Sequence, residues 1–173
     1  MRLVFAILVA SFASTIQAET MDFWPGATYD VSVPTIEAVT GHEPGERITR
    51  HADVIRYFDA LAEAHPDRVA VFRYAMSWQG RELIYAVITS SENMARIDEI
   101  KSSMQQLRNA GTTGRDAADN IIASQPAVTW LSYGVHGNEI SSTDAAMLTT
   151  YHLLAAENDE RVDAILENTV VII

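Results

Sequence analysis

From Ala127 to Ala156 the chain reads AVTWLSYGVHGNEISSTDAAMLTTYHLLAA, a run that admits few folds. Ala127 to Tyr133 is apolar and rich in β-formers, with Val128, Thr129, Trp130 and Tyr133, so a buried strand is expected there. Gly134 and Gly137 bracket a turn in which the backbone needs freedom at φ. From Ile140 onward Ala145, Met147, Leu148, Tyr151, Leu154 and Ala155 recur at helical spacing. Ser141, Ser142, Thr143 and Asp144 crowd the expected first turn, where oxygens suit unpaired N–H groups.

The turn holds His136-Gly137-Asn138-Glu139. A neutral imidazole nitrogen and a carboxylate oxygen are both good zinc ligands. A turn leading into a helix brings residues three apart to one point, and Gly137 removes bulk between them. A site at a strand end stays open on one side, which a catalytic zinc needs for its water. The spacing by itself recurs by accident. The competing reading is a surface histidine beside a glutamate placed at a helix start for dipole reasons. The order strand, glycine turn, helix favours His136 and Glu139 as ligands.

Composition narrows the classes. A chain of 173 residues supports one domain with a real core, and 48% apolar residues make it globular. The net charge of −11 argues against nucleic acid and anionic membrane as partners. Cysteine is absent, so neither disulfides nor thiol chemistry enter.

Residues 1–18 carry the marks of a secretory signal: Arg2, an apolar run from Leu3 to Ala13, and Ile16-Gln17-Ala18 as a cleavage site. The run is too short to span a bilayer. The expectation is a secreted or periplasmic protein that starts near Glu19 and does not stay in the membrane. Residues 19–46 read as an irregular leader, broken by Pro25, Pro34 and Pro44, with Phe23, Trp24 and Tyr29 packing it onto the domain. His42 reads as a solvated loop residue.

The domain is expected over 47–173. Arg47 to His65 predicts a helix, with Thr49 as N-cap and Val54, Ile55, Phe58, Leu61 and Ala62 inward. His51 and His65 fall at its ends and are expected to be exposed. Val69 to Thr89 predicts two strands joined through Ser77-Trp78-Gln79-Gly80-Arg81, with Arg81 a surface turn residue. Ser91 to Arg108 predicts one helix in which Met94 and Met104 fill core rather than bind metal. Asn109 to Asp119 is a polar break. Asn158 to Asn168 predicts a short helix, and Thr169 to Ile173 a strand. A β-branched run is an odd place for a domain to stop, so the chain is expected to be the N-terminal portion of a longer protein. The fold class is α/β: a mixed parallel and antiparallel sheet with helices on both faces and the site at the strand ends.

The H-x-x-E stretch resembles the first zinc-binding segment of the M14 metallocarboxypeptidases, the carboxypeptidase A family. The Gly80-Arg81 turn between two antiparallel strands resembles the pair that opens the M14 domain. The likeness runs from about Thr49 to Ile173. In carboxypeptidase A the ligand set is known to be two histidines and one glutamate, and the resemblance makes His136 and Glu139 the first two. It implies Zn²⁺ as cofactor, a peptide as substrate, and removal of C-terminal residues. It places the second histidine, the carboxylate-binding residues and the general base beyond Ile173, so no catalytic base is expected in this chain. His152, Glu157 and Glu160 are expected to pack or face solvent instead. The oligomeric state is left open. Two other readings stand: an aspartoacylase-like or succinylglutamate desuccinylase-like zinc amidohydrolase, which shares the H-G-N-E quartet, and an exported binding domain of the same fold without activity.

Overall fold

The computed structural model describes residues 22–109 and 111–173. The signal segment 1–18 lies outside the described residues. In chain order the elements are β1 (Thr28–Tyr29), α1 (Ile36–Thr40), α2 (His51–Ala64), β2 (Val69–Met76), β3 (Glu82–Ile88), α3 (Ser91–Ala95) and α4 (Ile97–Arg108). They continue as α5 (Arg115–Ser124), β4 (Ala127–Trp130), α6 (Ser141–Ala155), β5 (Ala156–Glu157), α7 (Glu160–Asn168) and β6 (Thr169–Ile172).

Four strands make one sheet in the order β2-β3-β6-β4. β2 and β3 are an antiparallel hairpin whose turn closes by Ser77 N–H to the Arg81 carbonyl at 2.8 Å, with Gly80 at φ 70°. That φ suits glycine, as the sequence implied. β6 runs antiparallel to β3 and parallel to β4. Parallel neighbours need a crossover, and α6 and α7 provide it.

Alternation along the strands divides the core into two layers. Val69, Ala86, Ile88 and Val171 face the larger one, with Tyr57, Phe58 and Leu61 of α2, Met147 and Leu154 of α6, and Leu166 of α7. Val87 and Val170 face the other way, onto Ile100 with Met94 and Ile97 beside it. Helices therefore cover both faces of a mixed sheet, as expected. Both methionines that sequence placed in the core, Met94 and Met104, are half-buried.

Several expectations are corrected. The leader, largely irregular, also holds a short strand and a short helix that sequence did not announce. Thr35 caps α1 by accepting from Ala38 N–H at 3.1 Å, and Gly41 ends it at φ 77°. Val33 and Ile36 enter the main core, and β1 pairs with β5. A helix of five residues is too short to show a period, so only its caps marked it. α2 begins at His51, because the Thr49 hydroxyl is used elsewhere. The helix expected over 91–108 is two, broken at Arg96. Buried Asn93 sends its amide to the Leu166 and Glu167 carbonyls at the end of α7, which orients α3 independently of α4. α5 interrupts the expected polar break, and it buries no residue that would have signalled it. Among the described residues β4 stands at the edge of the sheet, and all four of its residues are exposed, not buried.

Candidate metal centre

The loop from Leu131 to Ile140 joins β4 to α6. The Leu131 N–H still reaches the Ile172 carbonyl at 2.8 Å, after which the chain leaves the sheet. Gly134 reverses it at φ 68°. Tyr133 anchors it through a 3.1 Å bond between its hydroxyl and that of Thr149. Glu139 N–H then bonds the His136 carbonyl and Ser142 N–H the Glu139 carbonyl, each at 3.1 Å. These successive turns roll the chain into α6 and lay residues 136 and 139 on one side.

The two candidate ligands meet. His136 Nδ1–H donates to Glu139 Oε1 at 2.8 Å, and the side chains are 69% and 49% exposed. The contact brings together a ring nitrogen and a carboxylate oxygen, two atom types that bind zinc. Zinc bonds of ~2.0–2.2 Å at a tetrahedral angle set such atoms about 3.4 Å apart. The observed 2.8 Å spacing opens to that by rotating two exposed side chains. The donor set therefore fits zinc as two members of a three-ligand shell. Among the described residues no group of three His, Cys, Asp or Glu converges.

Two details of the turn differ from expectation. Gly137 is not at positive φ, and a Cβ there would meet nothing within 4 Å, so its lack of bulk is not what lets the pair converge. The oxygens of Ser141 to Asp144 do not cap α6. Asp144 turns inward, where its carboxylate accepts from Thr49 Oγ1–H at 2.5 Å and from Gly45 N–H at 3.0 Å. Sequence reasoning missed this link because nothing local connects positions about a hundred residues apart.

The His136–Glu139 pair opens on a cleft of about 650 Å³, bordered by Ile48, Arg50, His51, Arg81, Ile140 and Thr143 among others. His51 is half-buried, not exposed: its Nε2–H donates to the Glu82 carbonyl at 2.7 Å and holds the start of α2 against the β2–β3 turn. Arg81 is exposed on that turn, as expected, but the turn forms a wall of the cleft.

The remaining histidines stand apart from the site. His42 is 2% exposed, a correction to its reading as solvated, and its Nδ1–H donates to the Glu43 carbonyl at 3.1 Å. His65 is half-buried rather than exposed. His152 packs, lying flat on Trp24 at 4.0 Å with its Nδ1 3.2 Å from the Tyr29 hydroxyl. Burial there holds the imidazole below its ordinary pKa. Glu157 and Glu160 are exposed, as expected.

Residues 54–173 match the family model described as zinc carboxypeptidase, Peptidase M14. No curated protein with which the chain was compared matches it. The match covers more than half of the chain and takes in the α2 face, the β2–β3 hairpin, the loop bearing His136 and Glu139, and β6. The chain belongs to the zinc carboxypeptidase family M14, a family of peptidase-type hydrolases.

Proposed function

We propose that this chain supplies the first two zinc ligands, His136 Nδ1 and a Glu139 carboxylate oxygen, of an exported metallocarboxypeptidase that removes C-terminal residues from peptides. The single observation that carries the reading is the 2.8 Å approach of those two atoms at a strand end, over a cleft able to admit a peptide.

Zinc held there would acidify a water and polarise the scissile carbonyl. The chain's own residues hold and aim the ligands. The paired turns at His136 and Glu139 fix their spacing, and the Tyr133–Thr149 bond fixes the loop. Asp144 ties the start of α6 to the segment before α2, so the floor and the wall of the cleft move as one piece. Two ligands make a weak site, and no general base is assigned to any residue of this chain.

Calorimetric titration with zinc tests the reading. The expected result is weak binding at one site, lost in His136→Ala and in Glu139→Ala, with no peptide hydrolysis by the chain itself. Zinc binding unchanged by both substitutions overturns the assignment, and clear turnover by the chain overturns the view that it lacks a base.

Export is part of the same proposal and rests on residues 1–18. Among the described residues no helix is long and apolar enough to cross a membrane. Mass spectrometry of the protein outside the cytoplasm is expected to find an N-terminus near Glu19; an intact Met1 refutes cleavage.

A further inference from the structure

Among the described residues two unpaired arginines border the same cleft as the candidate metal pair. The chain is acidic overall, and half of its ten described arginines are engaged. Arg56, Arg73, Arg96 and Arg161 each lie against a carboxylate, and Arg68 bonds the Leu153 and Leu154 carbonyls. Arg50 and Arg81 have no ion pair and no side-chain hydrogen bond among the described residues, and both border the cleft that His136 and Glu139 open on.

Their proximity is built. Arg50 immediately precedes His51 and Arg81 immediately precedes Glu82. The 2.7 Å bond from His51 Nε2 to the Glu82 carbonyl therefore clamps together the two segments that carry the guanidinium groups. Both arginines are exposed and free to turn toward a ligand. Among the described residues Glu139 is the only acid bordering the cleft, and its carboxylate faces His136. Ile48 and Ile140, 63% and 53% exposed, give the same cleft apolar surface for the stem of a side chain. Screening limits the reach of the protein's net negative charge to about 8 Å at physiological salt, so the local pair sets the potential in the cleft.

We propose that Arg50 and Arg81 form an anion subsite on the wall of the metal cleft, and that the peptide taken there carries an acidic side chain. This rests on the peptidase reading above and narrows its substrate class. A guanidinium matches a carboxylate through paired N–H donors, so the pair recognises shape as well as charge. The carboxylate recognised is that of a Glu or Asp side chain, distinct from the chain terminus.

Three probes test this with the full chain: N-acetyl-Ala-Glu-Phe, its Gln counterpart, and the Glu peptide with an amidated terminus. Calorimetry at low salt is expected to show the Glu peptide binding about five- to tenfold more tightly than the Gln peptide, the range open to two exposed charge contacts. That preference should vanish in R50Q/R81Q, survive in part in R50K/R81K, and vanish for the unaltered chain in 1 M salt. Equal affinity of the unaltered chain for the Glu and Gln peptides at low salt overturns the subsite. A loss of binding on amidation, with none on exchange of Glu for Gln, overturns the assignment to a side chain. Zinc titration of the same samples separates this from the metal reading. Zinc bound through His136 without charge preference sinks only the subsite, and charge preference without zinc binding sinks only the metal assignment.

Discussion

The Thr49 hydroxyl donates to the Asp144 carboxylate over 2.5 Å, although 95 positions separate the two residues in sequence. The same carboxylate accepts from Gly45 N–H, so one buried acid joins the leader, the approach to α2 and the first turn of α6. That turn follows the His136–Glu139 loop directly. Asp144→Ala would strand the buried Thr49 hydroxyl, at a cost of about 1–3 kcal/mol. Urea denaturation should show that loss, and zinc affinity should fall with it. In a double-mutant cycle Thr49→Ala and Asp144→Ala should together cost less than the sum of the two alone. Strict additivity would show that the contact carries no energy.

The centre of the main core predicts a larger effect. Leu61 is fully buried between the sheet and the helices packed on it. Leu61→Ala removes apolar surface and leaves a cavity, which costs about 2–5 kcal/mol. Ile122 on α5 is 66% exposed, and Ile122→Ala should change stability by less than about 0.5 kcal/mol. Thermal or denaturant unfolding of the two variants should separate them clearly.

The two glycines of the loop between β4 and α6 should respond differently. Gly134 sits at φ 68°, where a Cβ is strained, so Gly134→Ala should destabilise the fold by about 1 kcal/mol. Gly137 has ordinary φ and open space around it. Gly137→Ala should therefore leave unfolding unchanged. Equal costs at the two positions would contradict the backbone geometry.

His152 predicts a pH dependence. Burial against Trp24 and Tyr29 is the main cause of its lowered pKa; Asp159 opposes the shift and Arg161 adds to it. The folded state thus holds the ring neutral at pH values where the unfolded chain binds a proton. Its contribution to stability is complete above the unfolded value of about 6.5 and is lost as pH falls toward the lower folded value. Stability measured at pH 7.5 and at pH 5 should differ less in His152→Gln than in the unaltered chain. An identical difference in both would remove His152 as the cause.

How much of this was legible in advance follows from the range of each interaction. The α2 face, the hairpin with its Gly80 turn, β6 and α6 were readable because each writes its period or its turn residue into consecutive positions. The meeting of His136 and Glu139 was readable for the same reason: three residues at a strand-to-helix turn make a local geometry. α1 and α5 were not readable, the first too short for a period and the second without a buried face. The roles of Asn93, Asp144 and His51 were invisible in the sequence, since each is defined by a carbonyl, a hydroxyl or an amide from a distant segment. The order of residues determined an α/β chain with a histidine and a glutamate brought together at a turn. Only folding decided that the strand leading to that turn lies exposed at the sheet edge, and that α2 and the hairpin turn bring two arginines to the same cleft. Periodicity and turn chemistry act over a few bonds, whereas an edge, a wall or a clamp exists only once separate segments have been packed together.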